Sequence, residues 1–126
     1  MNKRICILTI LAAMLLSLSS NSQTPGRAGG PNPGVAPTRL MDRSDLRILR
    51  VDLQPGAVRS VHVHNDVRYH LFIPVSGQLE LTIGSAKPVE AVPGQAYYME
   101  KGTPHGFRNV GSSPGMVIEV FVKDGA

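Results

Sequence analysis

From Leu40 to the C-terminus the sequence is cut into short runs of Val, Ile and Leu by Gly, Pro, Asn and Asp, and this punctuation leaves little room for anything but β-strands. The runs are Leu46 to Leu53, Val58 to His64, His70 to Val75, Leu79 to Ile83, Pro88 to Val92, Gln95 to Met99, Gly106 to Val110 and Met116 to Val122. Pro55-Gly56 and Pro93-Gly94 suit the middle of type II turns, where glycine takes positive φ without cost. Gly77 and Gly84-Ser85 join neighbouring runs closely enough for hairpins. Past the N-terminal segment no stretch sustains a 3.6-residue apolar period, so almost no helix is expected.

Eight short strands in one small domain must stack as two sheets or close on themselves, because each has a face to hide and open edges invite aggregation. Leu79, Leu81 and Ile83 share one strand face, as do Leu71, Ile73 and Val75, and both sets are assigned to the core. Ile48 and Leu49 break the alternation of the first run, which a bulge or two-sided burial would explain.

Within Gly56 to Gly77 lie three of the four histidines of the chain. His62 and His64 are two positions apart in a run of alternating valine and polar residues, hence on one strand face with their imidazoles side by side. That is a metal-site arrangement in its own right.

The N-terminus has a different character. Lys3 and Arg4 precede an apolar run from Ile5 to Leu18 and then a serine-rich stretch, the order of a secretory signal peptide and too short for a spanning helix. Residues 1–22 are therefore expected to be removed, taking the single cysteine, Cys6, with them. The product would be periplasmic or secreted, without disulfides and not membrane-embedded. Loss of Lys3 and Arg4 brings the formal charge from +4 to +2. With no Lys/Arg block, helix-turn-helix pattern or aromatic platform, nucleic acid is not an expected partner. Residues 23–39, dense in Pro and Gly, read as a flexible linker to a domain spanning 40–126.

Residues Gly56, His62 and His64, followed by Gly94, Gly102, His105 and Asn109, carry a resemblance to the cupin family, whose motifs read G-x5-H-x-H-x3-4-E-x6-G and G-x5-P-x-G-x2-H-x3-N. The resemblance implies an all-β double-stranded β-helix, a jelly-roll barrel of about eight strands, and implies that His62, His64 and His105 ligate a metal. Two positions depart from the family. Glu100 stands where the second motif has proline, and the metal-binding glutamate of the first motif is missing. Counting back from Gly77 places His70 at that position, on a loop one residue longer than usual, which gives a four-histidine set of His62, His64, His70 and His105. Asp66 is the rival fourth ligand, but Asn65-Asp66 reads better as a turn.

Imidazole suits iron, zinc, copper and nickel better than manganese. A neutral four-imidazole set would leave the full charge of a divalent ion to polarise a bound water or ligand. Arg68, Phe72 and Phe107 are candidates to line a substrate pocket, and no inward carboxylate offers itself as a general base. What the resemblance implies is a metal-dependent protein acting on a small organic molecule, with dioxygenase-type chemistry as the leading reading. A non-catalytic ligand- or metal-binding barrel, or a hydrolase or isomerase using a zinc-held water, are the alternatives. Cupins often pair through their sheets, so a homodimer is expected, with Val61 and Val63 covered by a second layer or a partner.

Overall fold

The computed structural model describes residues 31–124. The signal segment and the first part of the linker lie outside them. Nine strands follow in order: β1 (Val35–Asp42), β2 (Leu46–Leu53), β3 (Val58–His62), β4 (Val67–Ser76), β5 (Leu79–Ile83), β6 (Val89–Ala91), β7 (Tyr97–Glu100), β8 (His105–Asn109) and β9 (Gly115–Lys123). No helix occurs among the described residues. The strands form a five-stranded sheet in the order β1-β2-β9-β4-β7 and a four-stranded sheet in the order β3-β8-β5-β6, every pairing antiparallel. After β2 the chain passes from one sheet to the other at nearly every turn. Two sheets wound in this way are a jelly roll, the all-β fold class expected from the turn spacing.

Each sheet turns one face inward. Val51 and Leu53 of β2, Phe72 of β4, Leu79 and Leu81 of β5, Met99 of β7, Phe107 of β8 and Val117 of β9 meet as one buried core. Burial of each such side chain is worth about 1.5–3 kcal/mol. The interior is not uniform along the strands. Leu79 pairs with Asn109 at one end of the β5–β8 ladder, and Ile83 pairs with His105 at the other. One end of the barrel is thus filled with aliphatic and aromatic groups, and the histidines gather at the other.

Two expectations need correction. Strand β1 begins at Val35, so residues 35–39, assigned to a flexible linker, are ordered. Proline and glycine density marked them as linker, but Val35, Pro37 and Arg39 pair with Leu53, Val51 and Leu49, and an edge strand tolerates proline. The core face of β4 is His70, Phe72 and Pro74, all buried, while Leu71 and Ile73 are half-buried and Val75 is 43% exposed on the outside. Val61 and Val63 are 62% and 45% exposed in the single chain, so no second layer of the chain itself covers them.

The Ile48-Leu49 pair proves to be two-sided: Leu49 shares the inward parity of Val51 and Leu53, and Ile48 the outward parity of Arg50. Gly56 and Gly94 take φ of +77° and +83°, as their turns require. Asn109 pins the second turn region from inside. Its buried side-chain nitrogen donates to the carbonyls of Leu53 and Ser113, and its oxygen accepts from the Gly111 amide.

Candidate metal centre

The four histidines arrive from two sheets and a loop. His62 closes β3 and faces His105, the first residue of β8, as its direct pairing partner. His64 lies just past the end of β3, and the turn before β8 holds it there: the Gly102 amide donates to the His64 carbonyl at 2.9 Å, and the Lys101 amide donates to the Arg68 carbonyl at 3.0 Å. Gly102 makes this turn with φ of +73°. The glutamate at position 100, where the second motif has proline, does not disturb it, since the Glu100 carbonyl accepts from the Thr103 amide. His70 comes from the opposite sheet, on the inward face of β4.

Ring centroids lie 4.4 Å apart for His62 and His105, 5.0 Å for His62 and His64, and 5.3 Å for His64 and His105. His70 is 4.6 Å from His105 and 5.4 Å from His64. The four rings gather in one region of the barrel. One donor atom from each of His62, His64 and His105 lies within 4.8 Å of the other two, and the same holds for His70, His105 and Glu119.

The tautomers follow from the neighbours. Nδ1 of His62 is 2.8 Å from the Ser60 carbonyl, and Nδ1 of His105 is 2.9 Å from the Thr103 carbonyl. A carbonyl only accepts, so each Nδ1 carries the proton and each Nε2 is left with its lone pair, the arrangement found behind metal-ligating histidines. Nε2 of His64, His70 and His105 and Oε1 of Glu119 are buried without a hydrogen-bond partner. Leaving a buried polar atom unpaired costs about 1–3 kcal/mol. The four atoms are spread over two three-residue groups that share His105, each of a size that fits a cation.

Burial disfavours the charged imidazolium. It brings His64 and His105 down to about 4, with the neighbouring histidines pushing the same way and the Thr103 carbonyl opposing at His105. His62 is lowered too, again chiefly by burial. At neutral pH these rings are neutral and ready to ligate. Burial alone would raise the Glu119 carboxyl, but its contact with His70 and the nearness of His105 and His64 outweigh that and hold it below the usual carboxylate range.

Glu119 was not anticipated. It sits on β9 among a run whose two faces are both apolar, Met116, Ile118 and Val120 on one and Val117 and Phe121 on the other. Nothing in the alternation marks it as inward, and neither motif reaches it. The expectation that no carboxylate faces the interior is therefore wrong: Glu119 is 4% exposed, with Oε1 3.4 Å from Nε2 of His70.

The remaining candidates lie apart from this cluster. A register irregularity between Val67 and Tyr69 buries Val67 and leaves Arg68 exposed, so Arg68 is a surface residue. Phe72 packs against Phe107 and Tyr97 in the apolar core. Asp66 is exposed and paired with Arg47 at 3.3 Å, which accounts for it without a metal. Arg47 also lies with its guanidinium 4.6 Å from the centre of the Phe121 ring. Phe121 in turn stacks on His70 and meets His64 edge-on, each at 4.8 Å. It walls one side of the centre, while the half-buried His62 and His64 form the side nearer solvent. A surface hollow of about 290 Å³ beside Gln78, Leu79 and Val110 belongs to the Leu79 end of the ladder, away from the histidines.

Solved structures of the same shape are numerous. TT1209 from Thermus thermophilus is 25% identical, with 71% of this chain and 83% of that chain covered and a TM-score of 0.64. KdgF from a Halomonas species is 24% identical, with coverage of 71% and 79% and a TM-score of 0.63. A recombinant oxalate oxidase in complex with glycolate is 21% identical, with coverage of 78% and 55% and a TM-score of 0.66. No curated protein matches the chain. A family model described as "Cupin domain" matches residues 49–121, a span from β2 to β9 that takes in every residue of the histidine cluster, and the chain belongs to the cupin family.

Proposed function

We propose that this cupin holds one divalent transition-metal ion through His62, His64, His105 and His70 and acts on a small organic molecule that reaches it from the His62 and His64 side, by an oxidative reaction of the dioxygenase type. The observation that carries the reading is the set of Nε2 atoms of His64, His70 and His105, buried and without partners, with the His64 and His105 rings kept neutral by burial. Bound there, the ion would supply Lewis acidity and open coordination positions. The chain's own residues orient it: Ser60 and Thr103 fix two rings by their carbonyls, and Phe121 excludes water from one side. The basic, apolar and small-residue order of residues 1–22 supports export to the periplasm or beyond.

Elemental analysis of protein isolated from its native compartment tests the metal. About one transition-metal ion per chain is expected, falling to a trace in His62→Ala and His105→Ala. A metal-free parent, or variants loaded as well as the parent, would overturn the reading. A barrel that binds without turnover is favoured by Phe121, which lies against two of the four ligands and narrows the centre. Steady oxygen consumption with phenolic, thiol or diketone substrates would exclude it.

A further inference from the structure

We propose that Glu119 is itself a ligand of this ion, so that the two three-residue groups sharing His105 are halves of one centre whose carboxylate comes from the last strand, outside both motifs. The inference rests on the metal-binding reading above. It adds a donor and changes the ion that the centre prefers.

Position is the first argument. His70 pairs with Phe121 across the β4–β9 ladder, and Phe72 pairs with Glu119. His70 and Glu119 are therefore diagonal neighbours on one inward face, within reach of each other. The imidazole fills the sequence position where the motif has its glutamate, and the carboxylate returns one strand over.

Spacing is the second. Two donors at about 2.1 Å from one ion stand about 3.4 Å apart in a tetrahedron and about 3.0 Å apart at right angles. Nε2 of His70 and Oε1 of Glu119 are 3.4 Å apart, without the geometry of a hydrogen bond. An ion pair between these two residues alone would leave Nε2 of His64 and His105 still orphaned. His105 is common to both three-residue groups, so a single cation beside it would draw on donors from each.

Charge is the third. A carboxylate in the set neutralises half the charge of a divalent ion and adds a hard oxygen donor to the imidazoles, which restores manganese to the ions the centre accepts. Four imidazoles alone argued the opposite.

Titration of chelator-stripped protein with Mn²⁺ and with Zn²⁺ by calorimetry tests this. Glu119→Gln keeps the shape and removes the charge, and is expected to weaken Mn²⁺ binding at least tenfold while weakening Zn²⁺ binding less. A residue that merely orients a ligand also commonly costs about 10–100-fold, so the same change is made in a His70→Asn background. A ligand still loses Mn²⁺ affinity there, whereas a residue acting only through His70 loses nothing more. An infrared difference spectrum of the parent, metal-bound minus metal-free, needs no variant: a shifted carboxylate stretch is expected. Unchanged Mn²⁺ affinity in Glu119→Gln, no further loss in the His70→Asn background, or no carboxylate shift in the parent would each overturn the assignment of Glu119. A parent that binds neither ion would instead overturn the metal-binding reading on which it rests.

Discussion

A histidine buried beside three others is a liability unless it stays neutral, and that constraint carries a measurable consequence. His64 and His105 titrate near 4 in the fold against about 6.5 in an unfolded chain. Above pH 6.5 both states are unprotonated and the rings make no pH-dependent difference. Between 6.5 and about 4 the unfolded chain takes up protons that the folded protein refuses, so unfolding gains as pH falls. Denaturant melts of the metal-free protein should show stability declining from pH 7 to pH 5, with a shallower decline in His64→Asn. A flat profile over that window in the parent would contradict the burial assigned to these rings. Motif residues such as His62, His105 and Asn109 were legible because their spacing is fixed by turns that need particular residues. Glu119 was not, because a lone acid in an apolar strand carries no local sign of which way it faces.

Strands placed these residues, and the turn that carries the chain from β4 in one sheet to β5 in the other, not the hairpin expected at Gly77, shows how tightly. Gly77 takes φ of +90°, and a Cβ there would stand 2.6 Å from the Gly115 Cα. Both the backbone conformation and the space demand glycine. Gly77→Ala should cost at least about 2 kcal/mol, read as a lower denaturation midpoint at unchanged m-value. A loss within experimental error would show that the β4–β5 and β8–β9 turns have room to separate. The strand positions themselves were readable from Gly and Pro punctuation to within a few residues. What alternation could not give was the sense of β4. His70, Phe72 and Pro74 alternate with Leu71, Ile73 and Val75, and the more aliphatic set turned out to face outward. Period-two patterns identify two faces but do not name the inner one when both are apolar. Strand β1 was missed for a simpler reason: its glycine- and proline-rich approach resembles a tether, and that composition does not show that the chain folds back on β2.

At the level of the whole molecule, the misread face of β4 belongs to a larger feature. Ile48 of β2, Ile118 and Val120 of β9, and Leu71 and Ile73 of β4 share the outward parity of the five-stranded sheet, adjacent through the registers Ile48 with Val120, Leu71 with Val120 and Ile73 with Ile118. All are half-buried in the isolated chain. An apolar face of this breadth on a sheet is uncommon for a monomer. The charges beside it are already matched within the chain, since Arg50 and Asp52 on the same face of β2 pair at 2.8 Å. Such a face can lie on a two-fold copy of itself without bringing like charges together. We therefore expect a homodimer through this sheet, not through Val61 and Val63, whose side chains lie on the other sheet. Ile118 is central, paired with Arg50 on one side and Ile73 on the other. Ile118→Arg should leave the histidine cluster intact and convert the dimer to a folded monomer, measured by light scattering and by retained metal content, while Val61→Arg should leave the mass unchanged. A parent that scatters as a monomer at every concentration, or an Ile118→Arg variant that stays dimeric, would show that this face is covered in some other way.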